Sequence, residues 1–198
     1  MLSENSSLMT RSSLIRRAGD REAEAWCEIV DLYGPLIAHW CRRCGLESHS
    51  AADCVQDVFT SVAVSITAFE PVRSKGSFRA WLWTITRRKV LDQRRKLSRH
   101  PHPAGGSTAA AALQQVVDIA TVPDEEPTGD DQLQSLIHRA LQQVRHEYEA
   151  STWQAFWRSV VDGVPTDVVA KELRVSPAAV RQARSRILRK LRQQLGDM

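Results

Sequence analysis

Apolar residues recur at helical spacing along most of the chain, and the strict alternation that marks a half-buried strand is nearly absent. Trp26, Ile29, Val30 and Tyr33 share one side of a segment that opens near Asp20 and is expected to end at Gly34-Pro35. Pro35 then starts a second helix, from Leu36 to Cys44, with Gly45 as its C-terminal cap. Val55, Val58, Phe59 and Val62 carry a third, from Ser50 or Ala51 to about Phe69, and turn-forming residues follow over 70–76. Ser77 caps a fourth, in which Phe78, Trp81, Leu82 and Ile85 stand at i, i+3, i+4 and i+7 before the helix runs into RRKVLDQRRK. Beyond residue 129, Asp130 is the expected cap of a helix carrying Leu133, Leu136, Ile137, Ala140, Leu141 and Val144. An aromatic-rich one follows with Trp153, Phe156, Trp157, Val160 and Val161. The fold expected is all-α: an N-terminal helical bundle over 12–98, a flexible acidic linker over 99–129, and a four-helix C-terminal domain over 130–196.

The C-terminal stretch over 164–195 reads as two short helices joined by a tight turn, the second of them basic, which is the pattern of a helix-turn-helix. Thr166 is placed to cap the first helix, with Asp167 in its first turn. Ser176 is a favoured N-cap for the second and Pro177 occupies its first position, where a missing N–H costs nothing. Val180, Ile187, Leu191 and Leu195 form its inward stripe, with Leu188 beside them. Ser176, Ala178, Ala179, Arg181, Gln182, Ser185, Arg186 and Arg189 are left on or beside the outer face. Small residues at the front allow close approach to a major groove, and Gln and Arg can make paired hydrogen bonds to adenine and guanine edges.

Charge sharpens this picture, because the formal net charge of +4 over 198 residues is unevenly placed. From Arg87 to Arg99 seven Lys/Arg face only Asp92, and from Lys171 to Arg192 eight face only Glu172. From His100 to His138 there is no Lys or Arg, while Asp118, Asp124, Glu125, Glu126, Asp130 and Asp131 are acidic. Two basic patches around an acidic spacer imply two contacts with a polyanion. The first residues, MLSENSSLMTRSS, lack the apolar core of a signal peptide and no apolar run is long enough to span a bilayer, so a cytoplasmic protein without membrane insertion is expected. Cys27, Cys41, Cys44 and Cys54 are read as thiols. Cys41 and Cys44, with His39 two residues upstream and Cys54 further along, are the one cluster with zinc-like spacing, but Trp40, Cys44 and Leu36 are needed on the inner face and the spacing does not fix Cys54 as a fourth ligand, so no metal and no cofactor is assigned.

AADCVQDVF, followed by SKGSFRAWLWTITRRKVLDQRRK and then by a C-terminal helix-turn-helix, resembles the extracytoplasmic-function (ECF) sigma factors of the sigma-70 family, with the likeness running from about Leu14 to Leu195. The resemblance implies a non-enzymatic specificity subunit with core RNA polymerase and promoter DNA as partners, and it leaves room for an anti-sigma factor. It places Asp53, Gln56, Asp57 and Phe59 in the helix that grips the polymerase clamp. It puts Arg73, Ser74 and Lys75 in the loop that captures a base flipped out of the minus-ten element. It also assigns Trp83, Arg87, Arg88, Lys89, Arg94 and Arg95 to strand opening, where an aromatic face stacking on an unpaired base contributes about 1–3 kcal/mol. Trp81, on the stripe of Phe78 and Ile85, is expected in the core. The recognition helix would read the minus-thirty-five element. Arg88 stands where members commonly have Asn, Arg174 where the turn usually has Gly, and Ala183-Arg184 reverses the usual order, so promoter preference does not transfer. The competing class is a helix-turn-helix regulator that is no polymerase subunit, which would not need the segment from Asp53 to Lys96. A nucleic-acid enzyme would need a clustered acid, base or metal, which the sequence does not supply.

Overall fold

The structure, a computed structural model, describes residues 13–69, 77–99 and 122–196. The expected base-capture loop with Arg73, Ser74 and Lys75, and the expected linker over 100–121, lie outside the described residues. The described chain forms α1 (Ser13–Gly19), α2 (Ala23–Arg43), α3 (Ser48–Ser65) with a 3₁₀ turn (Ile66–Ala68), α4 (Phe78–Arg99), α5 (Asp130–Arg145), α6 (Ala150–Val160), α7 (Thr166–Leu173) and α8 (Pro177–Leu195). No strand occurs among the described residues, and the fold is all-α as the apolar spacing requires.

Three boundaries differ from expectation for physical reasons. Gly34-Pro35 does not end a helix, and α2 runs through Pro35. Pro35 and Asp31, whose carbonyl loses its i+4 partner, are both exposed, while Ile29, Leu32, Tyr33, Leu36, Ile37 and Trp40 keep one buried stripe in phase across the break. Burial of that stripe outweighs one lost backbone bond. Thr166 is the first helical residue of α7 and makes no cap bond, the N-cap being Pro165. Likewise Asp130 is the first residue of α5 and not its cap; Gly129 holds that place, its N–H donating to Gln132 Oε1 at 3.2 Å. Ser77 and Ser176 do cap as expected, accepting from Ala80 N at 3.3 Å and Ala179 N at 3.1 Å.

α3 packs on α2 and α4, α1 lies on α2, and α6, α7 and α8 pack on one another, with α5 wedged between α2 and α8. Among the described residues one apolar core runs through both halves. It joins Leu32, Tyr33, Ile37, Trp40, Val58, Phe78, Leu82 and Val90 to Leu136, Val144, Phe156, Ile187 and Leu195. A second, small cluster of Ala155, Val169, Ala170, Val180 and Ala183 holds the helix-turn-helix together.

A polar clasp sits where α8 ends on the N-terminal helices. The buried Tyr33 hydroxyl, its phenol pushed up by burial, donates to Leu195 O at 3.0 Å. Gln194 Nε2 donates to Glu28 Oε2 at 2.8 Å and to Gln143 Oε1 at 3.0 Å, and Gln143 Nε2 donates to Glu28 O at 2.9 Å. Gly196 caps α8 at φ 62°, and a Cβ there would stand 2.8 Å from both Ile15 Cδ1 and Phe78 Cβ, so the close approach needs glycine.

Candidate nucleic-acid interface

On α8 the inward stripe leaves a continuous outward face. Val180, Ala183, Ile187, Leu191 and Leu195 are buried, whereas Ala178, Arg181, Gln182, Ser185, Arg186 and Arg189 are exposed and Ala179 is half-buried at their edge. The Ala183-Arg184 order has a simple reason: position 183 faces Val169 and Ala170, where only a small side chain lets α7 cross closely, and Arg184 turns to solvent. The turn before this helix is tight enough to place Arg174 at φ 54° and ψ 42°, in the left-handed region, where a side chain costs about 1 kcal/mol or more relative to glycine.

α4 carries the second basic surface, but it is not bare. Arg79, Trp83 and Arg87 stand at i, i+4 and i+8 and so line one face of the helix. Residues 122–126 run antiparallel along that face. Glu126 forms an ion pair with Arg79, Asp124 O accepts from Trp83 Nε1 at 3.0 Å, Pro123 O accepts from Arg87 Nε at 3.0 Å, and Asp124 Oδ1 lies 2.6 Å from Arg87 Nη2. Two further contacts seat the strap: Val122 is buried in the core, and Thr128 Oγ1 accepts from Trp40 Nε1 at 3.0 Å. Residues 122–129, expected within a flexible linker, are therefore docked. Spacing alone could have flagged Arg79, but not Glu126, whose partner lies far away in sequence.

Trp83 does not face outward as a stacking platform. It is 3% exposed and meets Trp40 edge-on at 5.5 Å and 69°, so its ring is core and only its N–H edge reaches the strap. Trp81 is half-buried, tilted against Phe69 at 5.1 Å and Phe78 at 5.5 Å. Arg88 and Arg95 are exposed and Lys89 half-buried, whereas Arg94 turns back and donates to Cys44 O at the end of α2.

On α3, Asp53 is exposed near His49, at 3.9 Å, and Gln56 is exposed, while Asp57 is half-buried and accepts from Gln93 Nε2 at 3.5 Å. Phe59 is 8% exposed and meets Trp26 edge-on at 6.1 Å, so it supports this face from beneath and does not itself offer a surface. Cys41, Cys44 and Cys54 are buried where α2 and α3 meet; the Cys54 partner and burial push the Cys41 thiol up, and burial pushes Cys44 up. Among the described residues no three His, Cys, Asp or Glu stand close enough to hold a metal ion.

Comparison with known proteins agrees with this geometry. Residues 29–100, from within α2 to the end of α4, match the family described as Sigma-70 region 2. The chain is 25% identical over 183 residues to the ECF RNA polymerase sigma factor RpoE of Cereibacter sphaeroides, covering 86% of this chain and 92% of that protein. It is 25% identical over 193 residues to the ECF RNA polymerase sigma factor ShbA of Streptomyces griseus, covering 91% and 92%. To the ECF RNA polymerase sigma factor SigE of Mycolicibacterium smegmatis it is 28% identical over 194 residues, covering 95% of this chain and 67% of the relative.

Proposed function

The chain belongs to the extracytoplasmic-function sigma factors of the sigma-70 family, and from that premise we propose that it directs core RNA polymerase to specific promoters and helps open the DNA there. The observation that carries this reading is the pairing, in one chain, of a region-2 helical unit over 29–100 with a capped helix-turn-helix whose outer α8 face is solvent-facing. A regulator that only reads duplex DNA needs the second and has no use for the first. As a sigma factor the protein contributes recognition and binding energy, and we assign it no catalysis of its own. No described helix is long and apolar enough to cross a membrane, and action with polymerase places the protein in the cytoplasm.

The division of labour we propose has two working halves, 12–98 and 130–196, joined by 99–129. Ser176, Ala178, Ala179, Arg181, Gln182, Ser185, Arg186 and Arg189 meet the minus-thirty-five element, Gln182 and Arg186 being long enough to reach base edges. Arg87, Arg88, Lys89 and Arg95, with Arg73, Ser74 and Lys75 earlier in the sequence, hold the minus-ten region and its phosphates. Arg94, tied to Cys44 O, steadies α4 on α2. Asp53, Gln56 and Asp57 form the polymerase-facing surface, backed by Phe59. Run-off transcription from a genomic library, with core polymerase alone and with this protein added, tests the proposal. Promoter-specific transcripts that need the protein are expected. Tight sequence-specific duplex binding with no effect on transcript start sites would instead mark a regulator.

A further inference from the structure

The strap over 122–126 and the face beneath it are complementary in chemistry. A helix surface of Arg79, Trp83 and Arg87 presents two cations and one ring N–H, all hydrogen-bond donors. Everything the strap offers in return is an acceptor: the carboxylates of Glu126 and Asp124 and the carbonyls of Asp124 and Pro123. The contacts run in reverse chain order along the helix, Glu126 on Arg79, Asp124 on Trp83, and Pro123 with Asp124 on Arg87. A run of acceptors, two of them anionic, along a line of donors is what a nucleic-acid strand presents to a protein.

Resting on the function proposed above, we infer that residues 122–126 are a built-in competitor for single-stranded nucleic acid, occupying the strand-opening face of α4 until a DNA strand displaces them. The contacts grade in a way that suits displacement. Val122 and Thr128 anchor the two ends, and the Glu126–Arg79 pair is largely shielded, with side chains 17% and 22% exposed. Asp124, by contrast, is 91% exposed on its side chain, so its pair with Arg87 is screened by water and salt and is the place where an incoming phosphate can start. Loss of the strap would remove its contacts with Arg79, Arg87 and the Trp83 N–H together, because one backbone segment makes all of them. Trp83 keeps its place against Trp40 throughout, its ring being core.

The test uses the whole chain and a fluorescently labelled single-stranded 15-mer of mixed sequence, read by anisotropy at fixed salt. Asp124→Asn with Glu126→Gln keeps shape and backbone while removing both anions from the strap. It should bind the 15-mer about tenfold more tightly than the unaltered chain, the order expected when one shielded and one exposed ion pair are released from competition. Asp130→Asn with Asp131→Asn removes the same charge from the exposed first turn of α5, outside the strap, and should change affinity by less than half as much on a logarithmic scale. In the unaltered chain, amide hydrogen exchange over 122–128 should quicken when the 15-mer is added, a readout that depends on no variant. Equal tightening by both double variants, or exchange over 122–128 unchanged by saturating 15-mer, overturns the inference. Run-off transcription with core polymerase, done on the same preparations, keeps the two readings apart. Normal transcription with an unaltered 15-mer affinity refutes the competitor alone, and absence of transcription refutes the sigma-factor reading while the oligonucleotide arms still decide the strap.

Discussion

Replacing Trp83 distinguishes a base-stacking platform from a core residue whose edge is latched by the strap. The ring is 3% exposed, packs edge-on against Trp40 and donates to Asp124 O at 3.0 Å. Trp83→Ala empties most of that volume, and buried Trp or Phe to Ala typically costs about 3–5 kcal/mol. For a chain of this length a kilocalorie shifts the melting temperature by about 2–4 °C, so a fall on the order of 10 °C is expected. Trp83→Phe keeps a ring against Trp40 and loses chiefly the N–H bond and some volume, about 1–2 kcal/mol. Thermal unfolding by circular dichroism is to be paired with permanganate footprinting of an opened promoter in the polymerase holoenzyme. On the structural reading, Ala lowers stability sharply and impairs upstream binding and opening together, while Phe stays active below its own melting temperature. An Ala variant that melts within about 1 °C of the parent yet loses reactive thymines on duplex promoter, and regains them on a pre-melted one, would refute burial as the basis of the role.

Gly196→Ala should unlatch the two halves: the new Cβ meets Phe78 Cβ and Ile15 Cδ1 at 2.8 Å in a left-handed backbone, and small-angle scattering should show a larger radius of gyration. An unchanged radius with an unchanged melting temperature would show that this end of α8 bears no part in the compact form. Arg174→Gly removes about 1 kcal/mol of left-handed strain but adds freedom to the unfolded chain worth about 0.4–1 kcal/mol, so a net gain of about 0–0.6 kcal/mol is expected. A drop in melting temperature of about 2 °C or more would mean that the Arg174 side chain does something the backbone does not reveal.

Much of this was legible because α8 obeys purely local rules. Ser176 and Pro177 set its frame, the apolar stripe then follows at fixed spacing, and every outward residue named from the sequence is exposed or at the edge of the exposed face. Trp81 and Trp83 show where local rules stop. Periodicity put Trp81 on the stripe of Phe78 and Ile85 and left Trp83 outside it, but Trp83 is buried by partners from elsewhere in the chain, Trp40 of α2 and the strap. Phe59 was on the apolar stripe of its own helix and is buried against Trp26, so there periodicity foretold the burial better than a surface role did. At Pro35 the local stop signal fails because the stripe from Ile29 to Trp40 stays in phase across it. Arg174 is the converse: its left-handed conformation follows from the tightness of the turn, which the usual glycine at this place already signalled.

On the division of labour proposed above, the compact arrangement is not the one that works on promoter DNA. Elements centred ten and thirty-five base pairs upstream of a start site are about 85 Å apart along the duplex at 3.4 Å per pair. α8 has 19 residues, hence a length of about 29 Å, and its far end is pinned to α2 and α4 by Leu195 and Gly196. The reading face at its near end therefore lies only about one helix length from the N-terminal bundle, far short of the span required. Residues 99–129 have the reach when drawn out, roughly 100 Å at about 3.3 Å per residue. Reaching it requires Tyr33 to release Leu195, Gln194 to release Glu28, residues 122–129 to leave Trp40, Arg79, Trp83 and Arg87, and Leu136, Ile187 and Leu195 to leave the shared core. Turning a population from 1:99 to 99:1 in favour of the open form needs a differential affinity of about 5.5 kcal/mol, which neither a weakly bound duplex nor the strap's exposed ion pairs supply. On the site assignment proposed above, polymerase supplies it through surfaces such as Asp53 and Gln56 on α3, which are exposed in the closed form and so can be engaged before it opens.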